Sequence, residues 1–175
     1  MKNVLWVDCC IRGEESRTLR LSRAFLDALP QDCRVTHLDL MQLQPRYFFG
    51  DYLEERQKLL EQGNLSHPRF DLARQFAAAD AIVVSAPFWD LSFPALLKVY
   101  IEQVSLDGIT FASTEAGLVG RCRAERMVYL TTRGGFYTGD ELEMGSRYMQ
   151  ALCKFFGIDR YDCVAADGMD VAGFD

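Results

Sequence analysis

Ala81-Ile82-Val83-Val84-Ser85-Ala86-Pro87-Phe88-Trp89-Asp90-Leu91-Ser92-Phe93-Pro94 is the stretch on which the fold turns. Its first half is a short apolar run rich in β-branched residues, the pattern of a strand buried on both faces of a sheet. Pro87 closes the run, because proline has no N–H to give to a ladder. Pro94 suits the first turn of a helix. Beyond it Leu97, Ile101 and Val104 fall on one stripe, and Gly108 is expected to end the helix. Strand, loop and helix in this order form half of a parallel crossover unit.

Similar units lie on either side. Residues 3–8 read as a buried strand through Val4-Leu5-Trp6-Val7, and after a polar loop Ser16 opens a helix with Leu21, Phe25 and Ala28 at helical spacing. Residues 34–40 alternate as an edge strand, with Thr36, Leu38 and Leu40 on one face and Val35, His37 and Asp39 on the other. The segment 41–68 is expected to hold a helix over 52–62, ended by Gly63-Asn64. Residues 69–79 read as a helix, 127–131 as a fourth strand, 140–156 as a helix stopped by Gly157, and 161–165 as a fifth strand. Alternation of this kind predicts one parallel sheet with helices on both faces. No internal repeat, low-complexity tract or linker interrupts it, so residues 1–175 are read as a single domain.

Composition narrows the function. The 175 residues are 49% apolar with a net charge of −6, which argues against a sequence-independent nucleic-acid binder. No stretch approaches the roughly 18 apolar residues of a membrane span. The N-terminus has no secretory pattern, so a cytoplasmic location is expected. The six cysteines are scattered without C-x-x-C spacing, and no metal site is expected. Cys9-Cys10 reads either as a vicinal redox pair or as packing residues.

In open parallel sheets ligands bind beyond the carboxyl ends of the strands, where strand order reverses. Three loops fall at that edge: residues 9–18, 87–93 and 132–137. Ser16-Arg17-Thr18 stands at a helix start, where free amides and the helix dipole favour an anion; an ordinary N-cap is the other reading. Phe88, Trp89 and Phe93 lie within a few residues of one another. They serve either to flank a planar heterocycle or to bury into a core or interface. Thr132-Arg133-Gly134-Gly135-Phe136-Tyr137 follows a strand directly, and its paired glycines mark a close backbone approach to a ligand or a plain turn.

At these loops the chain resembles the flavodoxin-like NAD(P)H-dependent oxidoreductases, in particular the FMN-dependent azoreductase and quinone reductase branch. The similarity runs from Val4-Leu5-Trp6-Val7 through Ser16-Arg17-Thr18 and Ala86-Pro87-Phe88-Trp89-Asp90-Leu91 with Leu97-Lys98-Val99-Tyr100-Ile101-Glu102. It continues through Gly108-Ile109-Thr110-Phe111 to Thr131-Thr132-Arg133-Gly134-Gly135. The resemblance implies a flavodoxin-like α/β three-layer sandwich whose five-stranded parallel sheet has the order 2-1-3-4-5. It also implies FMN as cofactor, with NADH or NADPH as co-substrate and a quinone or azo compound as the small aromatic electron acceptor, in a ping-pong hydride mechanism.

The cofactor-binding residues it implies are Cys9, Ser16, Arg17, Thr18, Pro87, Phe88, Trp89, Asp90, Leu91, Thr132, Arg133, Gly134 and Gly135. Tyr137 is implied near the reacting face. A homodimer is implied too, with Phe111 and the following turn completing the partner's pocket.

Three positions depart from the family pattern: Cys9 replaces a usual hydroxyl, Leu19 a polar phosphate ligand and Asp90 a frequent asparagine. After Ala165 ten residues remain, too few for a closing helix, so one face of the sheet is expected to be covered differently or to leave a strip for a partner. The alternative function is therefore a non-catalytic flavodoxin-like binding module with weakened FMN affinity. A one-electron flavodoxin carrier is a third reading. A phosphoacceptor receiver domain fails, since the third strand ends in Ser85-Ala86-Pro87 and no lysine follows the fifth. Phosphate-loop, zinc-protease and nucleophile-elbow motifs are absent as well.

Overall fold

The structure, a computed structural model, describes residues 1–173. In chain order it contains β1 (Lys2–Asp8), α1 (Arg17–Asp27), β2 (Cys33–Asp39), α2 (Leu40–Leu43), α3 (Asp51–Glu61), α4 (Asp71–Ala78), β3 (Ala81–Ser85), α5 (Ala95–Val104), β4 (Phe111–Thr114), β5 (Gly117–Gly120), β6 (Arg126–Thr132), α6 (Met144–Phe156) and β7 (Arg160–Ala166). The main sheet has five parallel strands in the order β2-β1-β3-β6-β7, which is the expected 2-1-3-4-5 of the main strands. The order reverses between β1 and β3, and the site lies beyond their carboxyl ends.

Side-chain alternation divides the core in two. Leu5, Val7, Ile82, Val84, Met127 and Tyr129 face α4, α5 and α6 through Phe76, Leu97, Ile101, Val104, Met149, Cys153 and Phe156. Val4, Trp6, Val83, Val128 and Leu130 face α1 through Leu19, with Leu21 and Phe25 packed at the margin. β7 extends past α1 on that face, and its exposed residues there include Asp162, which pairs with Arg126 at 3.3 Å, and Val164. This face of β7 is therefore open and mixed in character, an ion pair beside an exposed valine.

The innermost residues of α1 are Thr18, Leu19 and Ser22 rather than the stripe at Leu21 and Phe25. A buried polar network explains this. The indole N–H of Trp6 donates to Ser85 Oγ at 2.8 Å, and Ser22 Oγ lies 2.7 Å from both Ser85 Oγ and the carbonyl of Thr18. These bonds join the first turn of α1 to β1 and β3 and set its height above the sheet. Ser85→Ala leaves the Trp6 N–H buried without its acceptor and is expected to cost about 1–3 kcal/mol, measurable by urea denaturation.

Two local readings are corrected. α5 ends at Val104 rather than at Gly108, because Thr110 Oγ1 donates to the Val104 carbonyl at 2.7 Å and accepts from the Leu106 amide at 2.9 Å. α6 starts at Met144 rather than at residue 140. Asp140 accepts from the Leu142 amide in a turn, and Glu143 caps the helix through the Ser146 amide. The antiparallel hairpin of β4 and β5 was not anticipated. Its Gly120 lies so close to Gly157 that an added Cβ would collide with the backbone of Phe156 and Gly157. Before β3, Phe70 and Ala73 form a small core with Leu106, Leu59 and Leu60, and Arg46 and Arg69 stack on Tyr52 at 4.4 and 4.2 Å.

Candidate functional site

The turns after β1, β3 and β6 converge on one cavity. Its wall is made by Arg12, Glu15, Ser16, Arg17 and Thr18 from the first turn, Pro87, Phe88 and Trp89 from the second, and Thr132, Arg133 and Gly134 from the third, with Met169 and Asp170 after β7. Backbone bonds tie the turns together: the Cys9 amide donates to Ser85, Ala86 to Leu130, and Phe88 to Thr132 at 3.1 Å.

The first turn supplies donors. Ser16 is buried and caps α1 by accepting from the Leu19 amide at 3.2 Å. Its hydroxyl also bonds the Cys10 thiol, while the opening amides of the helix have no carbonyl one turn back and suit an acceptor in the cavity. Thr18 Oγ1 lies 2.7 Å from Thr132 Oγ1, so one hydroxyl of that pair orients the other. The N-cap and anion-site readings of Ser16 are therefore compatible.

The second turn supplies rings. Trp89 and Ser92 exchange backbone bonds of 3.2 and 2.8 Å around Asp90 and Leu91, whose φ values are +48° and +66°. Positive φ at both central residues is the tight hairpin turn normally built from Asn or Gly. It leaves Trp89 43% exposed at the cavity mouth, while Phe93 turns inward against Tyr148. A left-handed leucine is strained by about 1–2 kcal/mol, whereas glycine adds about 0.5–1 kcal/mol of folding entropy. Leu91→Gly is thus expected to stabilise the fold by about 0.5–1 kcal/mol, as a raised thermal midpoint would show.

The third turn is held by a buried cation. Arg133 is 3% exposed, with Glu143 at 3.2 Å and Asp167 at 3.1 Å. Its guanidinium also bonds Thr138 Oγ1 and lies 5.7 Å from the Phe88 ring centroid. Asp167 in turn accepts from the Tyr137 and Thr138 amides at 2.9 and 2.7 Å. Burial pushes its carboxyl up. The Thr138 and Tyr137 hydrogen bonds and the Arg133 charge outweigh that and hold it below the usual carboxylate range.

Other expected residues lie outside the wall. Cys9 has no exposed surface and packs in the core, and burial followed by the Asp8 charge pushes its thiol up to about 12. Cys10 is raised in the same way, so neither thiol has the low pKa of a redox cysteine. Leu19 is buried beneath α1. Asp90 and Leu91 form the turn that presents Trp89, and Gly135 backs the Tyr137 ring. Tyr137 packs on Phe88 at 4.6 Å and lines an adjoining hollow with Arg133, Glu143 and Cys163. No group of three or more metal-ligating side chains occurs among the described residues, and none of their helices is long and apolar enough to cross a membrane. Arg12, Glu15, Met169 and Asp170 were missed; the position of residues 169 and 170 just past β7, beside β6, was the signal available.

A family model described as flavodoxin-like fold matches residues 2–175. An FMN-dependent NADH:quinone oxidoreductase of Clostridium perfringens is 37% identical over 178 residues, covering 99% of this chain and 89% of the relative. The crystal structure of an azoreductase from Bacillus anthracis str. Sterne superposes with a TM-score of 0.82 at 27% identity, covering 97% of this chain and 88% of that one. An FMN-dependent NADH-azoreductase from Bacillus anthracis str. Ames Ancestor, crystallised in complex with FMN, shares the fold with a TM-score of 0.85 at 23% identity, covering 98% and 89%.

Proposed function

The chain belongs to the flavodoxin-like fold family, in common with the FMN-dependent NADH:quinone oxidoreductases it resembles, and on that premise we propose that it is an FMN-dependent oxidoreductase that passes electrons from NADH to quinones or azo compounds. One observation carries the reading: a single cavity combines anion donors at one end with exposed aromatic surface at the other. That donor set fits a phosphate-tailed planar ring. Ser16, Thr18, the opening amides of α1 and Arg17 suit the phosphate, and Phe88 and Trp89 the faces of a heterocycle. FMN, when bound, supplies the two-electron chemistry, taking a hydride from the nicotinamide and giving it to the acceptor.

The chain's own residues bind and orient. Arg133, locked between Glu143 and Asp167, fixes the turn that would lie beside the ring and ties it to Phe88. Tyr137, against Phe88, would border the reacting face. The whole chain would act as one cytoplasmic domain. A homodimer closing the open side of the cavity is part of the same reading, supported by the exposed apolar residues Trp89 and Leu91 of the second turn and Met144, whose amide donates to the Leu91 carbonyl. Initial-rate kinetics with NADH and a benzoquinone in the presence of FMN test the reading. Parallel double-reciprocal lines are expected, and the absence of any FMN-dependent NADH oxidation would overturn it.

A further inference from the structure

The turn after β7 reaches into the cavity. Gly168, Met169 and Asp170 donate their amides to the carbonyls of Gly135, Arg133 and Gly134 at 2.9, 3.0 and 3.0 Å, a backbone ladder along the third turn. The ladder aims the Asp170 side chain across the cavity. One carboxylate oxygen lies 2.6 Å from Arg17 Nη1. The other packs against Gly134, where an added Cβ would collide with it. A negative group is thus held on the arginine that stands beside the proposed phosphate site.

We propose that Asp170 is a selectivity determinant that competes with the cofactor's phosphate for Arg17, lowering the affinity for phosphorylated flavin while leaving the unphosphorylated ring unaffected. The inference rests on the FMN reading. A phosphate monoester carries about −1.5 to −2 at neutral pH, so it and the Asp170 carboxylate repel at this range and share one guanidinium. Docking the phosphate therefore exchanges one ion pair for another instead of adding a new one. Arg133 gives no substitute, because Glu143 and Asp167 already hold it. The Arg17–Asp170 pair is partly exposed, with side chains 43% and 70% accessible, so solvent screening keeps the competition moderate.

The test is a fluorescence-quenching titration of wild type and Asp170→Asn with FMN and with riboflavin, at low and high salt. Asp170 is exposed, and equal thermal midpoints would show that the variant folds. Asp170→Asn is expected to bind FMN about three- to tenfold more tightly, with riboflavin unchanged and the gain shrinking as salt rises. Unchanged or weakened FMN binding in the variant, or an equal gain with riboflavin, overturns the competition and leaves the FMN reading intact. Absence of FMN quenching in both proteins overturns the FMN reading, and the competition with it.

Discussion

Replacing Arg133 with methionine is expected to destabilise the protein by about 3–5 kcal/mol, the cost of breaking a buried ion pair by removing one partner. The side chain is 3% exposed, and its partners Glu143 and Asp167 have only 8% and 13% of their side chains accessible. Methionine fills a similar volume, so the loss reads as charge rather than as cavity. Two carboxylates would be left without their counter-ion. Adding Glu143→Gln and Asp167→Asn to the methionine variant removes those orphaned charges and is expected to recover much of the stability, because apolar or neutral replacement of a whole buried triad is often tolerated. Urea denaturation of the single and triple variants measures both effects. A single variant within 1 kcal/mol of wild type would show that the cation does not hold the turn.

The second large effect falls on the cofactor. Ser16→Gly combined with Thr18→Val removes both hydroxyls of the first turn. Glycine is accepted at an N-cap, so α1 should persist at a cost of a few tenths of a kcal/mol. Valine keeps the shape of Thr18 while deleting its oxygen. A hydrogen bond to a charged group is worth about 1.5–3 kcal/mol, so two losses are expected to weaken FMN binding by about two to four orders of magnitude. Riboflavin, which has no phosphate, should bind the two proteins alike. An FMN affinity within tenfold of wild type would mean that the phosphate lies elsewhere.

The parts of this molecule that were legible in the sequence are those that local chemistry decides. The run from Ala81 to Ala86 could form little but a buried strand, and Ser16 before a periodic apolar stripe could hardly avoid capping a helix. The convergence of three turns followed from the strand order that the family resemblance implied. What escaped depended on contacts between distant segments. The β4–β5 hairpin packs against the end of α6 where Gly120 meets Gly157, and nothing in its own weakly patterned residues announces that contact. The polar inner face of α1 reflects the partnership of Ser22 with Ser85 and Trp6, which periodicity cannot see.

The site divides along the same line. Ser16, Thr18, Phe88, Trp89 and Gly134 were singled out by residue type in the right turn, and all line the cavity. Cys9 occupies the right turn in sequence, yet the strand's alternation points it into the core. Asp170 lies in a turn with no distinguishing composition, and it reaches Arg17 only because β7 runs parallel beside β6 and delivers the chain to the same edge.

An anaerobic titration followed by visible absorbance tests the central claim most directly. FMN is added to the purified protein, then NADH, then a quinone. The flavin band should shift on binding, fade in proportion to the NADH supplied, and return with the quinone. A band indistinguishable from that of free FMN, and untouched by NADH, would contradict the assignment.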